Sequence, residues 1–439
     1  MHDLDRVNHP VLGAGTVLRV LDGGRRCQVR FDGRSAPWTM SVDELGGSAA
    51  TRVAVEIPET TASRADALQA LEALRLGVVP RMAVTTLTVG RSRELASITE
   101  MLERGTGLRV VRGGYGHGKT HTADLAEATA LQRGWVVARA TFDPVDITPA
   151  HPVRLWGELV RNLSYPDHLG GGLLPLLERL EPDRPHLFGE RSQRWLSAAL
   201  FAAHHAPPQL ADEVLAFVGG QERADNNELG RRLCRRGYRG AAMLALPDWR
   251  TYGQVVANLL GALAGWAKDA GWQGLLVILD EAEYLDRLGS VSREMAENLL
   301  RFVAMATLRR EELAFEPASV RRGGHPVHRR IPARWRPDQP LTAICTFTPN
   351  PEIERVLARV IEGDSHVLDL EPPRGSEAGV LGARVLALVR RAWPEFDPSE
   401  EQTTEVHQAL VQAAHWGELE SARDVVRTAV AIWDARRHG

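Results

Sequence analysis

The chain has 439 residues, more than one hydrophobic core usually holds, so two or three domains are expected. A formal charge of −3, from 53 basic and 56 acidic residues, excludes a wholly basic nucleic-acid coat and leaves any such contact to a local patch. Cys27, Cys234 and Cys345 are odd in number, far apart and without metal-ligand spacing, which excludes a disulfide scaffold and predicts a cytoplasmic setting; no run of about eighteen apolar residues suggests a membrane span, and no leader for export is seen.

Residues 1–50 contain short β-type runs at Gly15–Leu21, Cys27–Phe31 and Trp38–Val42, separated by Asp-Gly turns, which predicts a small β-barrel. The opening HPVLGAGTV (9–17) and the later VRFDG (29–33) resemble the SH3- or Tudor-like modules of bacterial helicases and of regulators that bind RNA polymerase. That resemblance, with acids and bases in balance, implies a module that docks a protein partner; the alternative is a folding appendage. Residues 51–85 read as a linker and a bridging helix, with a capping box at Ser63–Asp66, Leu68, Leu71 and Leu74 on one face, and a stop near Gly77 and Pro80.

From 86 to 365 the pattern is that of a phosphate-loop ATPase core. Val89, Gly90 and Arg91 form a turn before a helix, placed either to wrap an adenine or simply to start the helix. The apolar stretch from Leu108 then runs into Gly113, Gly114, Tyr115, Gly116, His117, Gly118, Lys119 and Thr120, which fits G-x-x-x-x-G-K-[ST] in its strand-to-helix setting. The glycines let backbone N–H groups approach phosphates closely, and the helix that follows, with His121 in its first turn, aims its dipole at them. Lys119 supplies the charge that reaches the β- and γ-phosphates. The hydroxyl of Thr120 is expected to hold Mg²⁺ together with Asp280, which ends the apolar run LLVIL (275–279) at the carboxyl edge of a buried parallel strand. Glu281 either polarises the attacking water or caps the next helix, Ala282–Leu288, in which Glu283 and Asp286 read as solvated charges.

Between these motifs, residues from about 150 to 250 read as a helical insert, and Val255–Trp266 as a buried helix. A strand at Leu341–Phe347 ends at Thr348-Pro-Asn350, where Thr346, Thr348 or Asn350 is placed to meet the γ-phosphate; Asn350 also suits a turn before a helix. The stretch 320–336 is the most basic of the chain. Its Arg321, Arg322, Arg329, Arg330, Arg334, Trp335 and Arg336 suit phosphate contact and base stacking on DNA, an arginine reaching a neighbouring subunit's nucleotide, or plain solvation. Residues 366–439 read as a helical lid, with Arg423 placed either to swing onto the phosphates or to pair with Asp424 or Glu420.

The order Val89-Gly-Arg…Glu94-Leu, Gly114–Thr120, Asp280-Glu-Ala-Glu, Thr348-Pro-Asn and a lid arginine resembles the AAA+ superfamily, in its origin-recognition-like and STAND-like branches. With ALRLGVVP (73–80) before it and Tyr115 in the loop, it looks closest to the BREX phage-defence ATP-binding proteins of the BrxD kind, over about 65–435. The resemblance implies an α/β fold, an AAA+-like parallel sheet with helical insert and lid, and ATP with Mg²⁺ as cofactors. It implies Lys119, Asp280 and Glu281 as catalytic residues, Thr348 or Asn350 as a polar sensor, Arg423 as the lid arginine and Arg91 at the nucleotide. It further implies an antiphage ATPase that acts on DNA or loads a helicase or nuclease, and an ATP-dependent homo-oligomer; the alternative is a nucleotide-dependent switch or scaffold. No winged-helix DNA-binding domain fits the last residues, and no later helicase motif supports a superfamily 2 helicase.

Overall fold

The computed structural model describes residues 6–9, 12–21, 26–32, 36–41, 45, 62–143, 145–147, 150–221, 225–246, 253–320, 331–361, 366–373 and 375–438. The chain first forms β1 (Arg6–His9), β2 (Gly13–Leu21), β3 (Arg26–Phe31) and β4 (Trp38–Ser41), then α1 (Arg64–Arg75), α2 (Val84–Leu87) and α3 (Ser92–Arg104). There follow β5 (Thr106–Arg112), α4 (Lys119–Gln132), β6 (Val136–Thr141), α5 (Pro152–Arg161) and β7 (Leu163–Ser164). The helices α6 (Leu174–Arg179), α7 (Arg184–Phe188), α8 (Arg194–His205), α9 (Pro208–Val218), α10 (Asn226–Arg235) and α11 (Gly253–Asp269) lead to β8 (Leu275–Asp280). Beyond it lie α12 (Ser290–Thr307), β9 (Leu341–Phe347), α13 (Pro351–Val360), β10 (Val367–Asp369), α14 (Ser376–Ala392), α15 (Glu400–His415) and α16 (Ala422–His438). Two compact units result: residues 1–89 with 373–439, and residues 90–372. Among the described residues no helix is long and apolar enough to cross a membrane.

In the first unit, β1 to β4 pair antiparallel in sequence order, and period-2 alternation buries Val17, Val29, Phe31 and Met40 on one face. The expected strands are present as an antiparallel sheet; among the described residues β1 and β4 are its outer strands and do not pair with each other. The helix α1 opens at Ser63, whose hydroxyl accepts from the Asp66 N–H at 3.1 Å while the Asp66 carboxylate accepts from the Ser63 N–H at 3.2 Å. Its apolar stripe, Leu71 and Leu74 included, shares one core with Val385 and Leu386 of α14 and Val425 and Trp433 of α16. Segments about 300 residues apart thus form one helical cluster, because each carries a single apolar face that must be covered.

In the second unit the six-stranded sheet has the order β10-β5-β9-β8-β6-β7, parallel throughout except for β7 at one edge. The strands are near-continuous apolar runs because both faces are covered. On one face Val111, Val137, Leu276 and Ile344 pack with Ile98 and Met101 of α3 and Ala123 and Ala126 of α4. On the other, Val110, Ala138, Val277 and Leu279 join Trp156 of α5, Trp195 of α8 and the apolar length of α11 and α12. The helices α5 to α10 follow β6 and precede α11 in the chain.

Candidate nucleotide site

Strand order brings the two sequence motifs together. β5, which feeds the glycine loop, and β8, which ends at Asp280, are both neighbours of β9, so their carboxyl ends lie two strand spacings apart, about 9–10 Å. The polar end of β9 fills the interval. In open parallel sheets this carboxyl edge is where ligands bind.

The loop needs backbone that L side chains rarely adopt: Gly116 has φ of +78° and Gly118, the residue before α4, has φ of +92°. Lys119 is buried, and its ammonium donates to the carbonyls of Gly113 at 3.2 Å and Gly114 at 3.4 Å. Thr120 is exposed in the first turn of α4, and Tyr115 stands out into solvent. The His117 ring contacts the Leu370 carbonyl at 3.1 Å.

Arg91 is buried against this loop. One of its terminal nitrogens donates to the His117 carbonyl at 2.7 Å and to the Glu371 carbonyl at 2.9 Å, and the other lies 3.6 Å from Glu94. The guanidinium therefore grips the loop's main chain. His121, beside Arg91, is pushed down to about 4 by burial and then by that positive charge. Gly90, in a left-handed conformation with φ of +68°, turns the chain into α3 just before Arg91. Val89 and Arg423 belong to the other unit, where Val89 packs on the helical core and the stem of Arg423 lies so close to Gly77 that a Cβ there would overlap it.

Asp280 is almost fully buried and its carboxylate is held on both oxygens. Oδ1 accepts from the Thr346 hydroxyl and, at 3.1 Å, from the Glu281 N–H; Oδ2 accepts from Arg139 at 2.8 Å. The Glu281 N–H also reaches Thr346 Oγ1 at 3.0 Å. Glu281 is the one non-glycine residue of positive φ among the described residues, at +61°, a strain on the order of 1–3 kcal/mol. Burial raises its carboxyl above the ordinary value, aided by the charges of Glu283 and Asp280 and opposed by Lys119. It stands at the head of the 3₁₀ turn Ala282–Arg287, yet its side chain makes no cap bond, so the capping role expected as the alternative is not taken.

Glu283, expected to be a solvated charge, is instead drawn into the site. It accepts from the Thr348 hydroxyl, and its Oε1 lies 3.9 Å from Lys119 Nζ. The short turn after β8 folds it back toward the loop. Asn350 caps α13, accepting from the Ile353 N–H at 2.9 Å, and its amide reaches Asp286 at 3.5 Å. Thr346 and Thr348 thus face the two carboxylates, while Asn350 serves the helix start.

Arg139 was not singled out from the sequence. The signal was an arginine inside the apolar strand run VVARAT, a position that requires a buried partner. Metal holding rests on few groups: among the described residues no cluster of three or more His, Cys, Asp or Glu has metal-binding geometry. Thr120 and Asp280 are nonetheless suitable donors for Mg²⁺, which usually takes one or two protein oxygens and completes its shell with phosphates and water.

Of the basic stretch, Arg321, Arg322, Arg329 and Arg330 lie outside the described residues. Arg334 donates to the Leu308 carbonyl at 2.7 Å, Arg336 to the Glu190 carbonyl at 3.2 Å and to Asp338 at the same distance. The Trp335 ring presses on α11, where a Cβ at Gly265 would overlap it. These three residues are engaged within the fold, so Trp335 does not stand free as a stacking platform.

No curated protein matches the chain. Over residues 62–180, which run from α1 through the Gly113–Thr120 loop to the end of α6, it matches the family model of the BREX system ATP-binding protein BrxC/D.

Proposed function

We propose that the chain binds ATP on the Gly113–Thr120 loop and hydrolyses it, as an ATPase of a BREX-type antiphage defence system. The observation that carries this reading is the convergence of Lys119, Glu281, Glu283 and Asp280 at one edge of the parallel sheet, with Lys119 Nζ 3.9 Å from Glu283. The loop N–H groups and the start of α4 would take the phosphates. Lys119 would exchange the Gly113 and Gly114 carbonyls for phosphate oxygens. Mg²⁺ held through Thr120 and Asp280 would neutralise charge that builds on the β- and γ-oxygens. Glu281, with its raised carboxyl, would take the proton of the attacking water. Thr348 would sense the phosphate through Glu283.

An arginine from a neighbouring copy would complete the site, so hydrolysis by the isolated chain would be slow and would rise with assembly; such arginines are worth about 10³–10⁵ in rate in related phosphoryl-transfer enzymes. By the AAA+ resemblance Arg423 would be the lid arginine, while an arginine of the 320–336 stretch would contact DNA or reach a neighbour's nucleotide. A helicase or nuclease partner, docked through the N-terminal sheet, fits the same reading. A second reading, a switch that assembles an effector complex when ATP is bound, is favoured by the Lys119–Glu283–Thr348 chain, in which a bound phosphate would compete with Glu283 for Lys119.

The test is ATP binding and phosphate release by the full chain with Mg²⁺, with and without single- or double-stranded DNA. Wild type should bind and turn over ATP, and Lys119→Ala should lose both. Equal turnover by the two proteins would refute the site. Trapping with Glu281→Gln separates the readings: a switch stays active in defence, a motor or loader stalls.

A further inference from the structure

We infer that Arg139 is a positioning residue for the ATPase reaction, locking the phosphate-loop helix to the Asp280 strand; this rests on the reading of the site as an ATPase. Arg139 lies in β6, paired in register with Ile278 of β8. Val137, two residues earlier on the same face, packs with α3 and α4, so the Arg139 side chain enters the layer between sheet and α4. There it is buried among three buried carboxylates: Asp124, Glu127 and Asp280.

The fork of the guanidinium divides its work. Nη1 donates to Asp124 and, at 3.2 Å, to Glu127, both on α4; Nη2 donates to Asp280 Oδ2 at 2.8 Å. Asp124 follows Lys119 by five residues on the same helix, and Asp280 precedes Glu281. One planar cation therefore ties the helix that carries the lysine to the strand that ends at Asp280, one residue before Glu281. A lysine has one ammonium and lacks the fixed geometry to hold both at once.

The consequence falls on Asp280. Thr346 and the Glu281 N–H fix one oxygen and Arg139 the other, so the plane of the carboxylate is set before any metal-nucleotide arrives. The arrangement on both α4 and β8 marks a group that transmits geometry.

The experiment measures kcat, KM, nucleotide affinity by displacement of a fluorescent ATP analogue, and melting temperature for full-length wild type, Arg139→Lys, Arg139→Met and the triple variant Asp124→Asn/Glu127→Gln/Arg139→Met. Arg139→Lys should melt near wild type, keep KM and nucleotide affinity within about threefold, and lose at least about tenfold in kcat. The triple variant removes the two α4 carboxylates that accept from Arg139 and should recover the melting temperature lost in Arg139→Met without recovering kcat. Wild-type kcat in Arg139→Lys, or recovery of kcat together with melting temperature in the triple variant, would overturn the inference. A wild type that neither binds nor hydrolyses ATP, or a Lys119→Ala control as active as wild type, would instead sink the ATPase reading on which it rests.

Discussion

Lys119 and Glu283 face each other at 3.9 Å across the carboxyl edge of the sheet, and Glu283 is tied in turn to the Thr348 hydroxyl at the end of β9. The ammonium that would hold the phosphates thus already neighbours an anion, and a phosphate must compete with it. Glu281, two residues before Glu283, has the raised carboxyl and the strained backbone. The two glutamates are accordingly expected to differ. Glu281→Gln should bind ATP and lose turnover by about 10²–10⁴, the usual worth of a general base. Glu283→Gln should bind ATP at least as tightly as wild type and retain measurable turnover. Single-turnover assays beside binding titrations decide it; a larger rate loss in Glu283→Gln than in Glu281→Gln would reassign the base.

Arg91 grips two main-chain carbonyls, of His117 in the loop and of Glu371 after β10. Arg91→Ala leaves two acceptors without their charged donor, a cost of about 1–3 kcal/mol for each that stays buried. The variant should melt several degrees lower and bind ATP and GTP more weakly by the same factor, since the loop rather than the base is affected. Loss of ATP affinity alone, with the melting temperature unchanged, would place Arg91 at the adenine instead.

His121 gives a pH signature. In the folded protein burial and Arg91 push it down to about 4, against 6.5 for the free side chain. Between these values the unfolded chain binds a proton that the folded chain refuses, so this contribution to stability is complete above pH 6.5 and is lost as pH falls toward about 4. Thermal melts from pH 7 to pH 4.5 should show a steeper acid decline for wild type than for His121→Gln. Parallel curves would show that His121 takes up its proton without cost.

Much of the site could be read from the chain because its signals are local. The glycines of the loop, Lys119 and the apolar run before Asp280 are neighbours in sequence, and a strand followed by a phosphate loop and a helix needs no distant partner to be recognised. The capping box at Ser63 and the helices α8, α11 and α14 were legible for the same reason: hydrogen bonds and apolar periodicity act within a few residues. The Ala282–Arg287 turn was harder, since its six residues form a 3₁₀ helix whose side-chain directions depend on what lies across the site.

What the sequence alone determined, then, is that a glycine loop and an acidic pair exist and that each follows a buried parallel strand. Tertiary structure decided the company they keep: β9 between their strands, Thr346 and Arg139 on the two oxygens of Asp280, Glu283 beside Lys119, Trp335 against α11. The reason is physical. A buried charge must find its counter-charge wherever the sheet order brings one within reach, and that order is set by burial of whole faces, which no short stretch of the chain encodes.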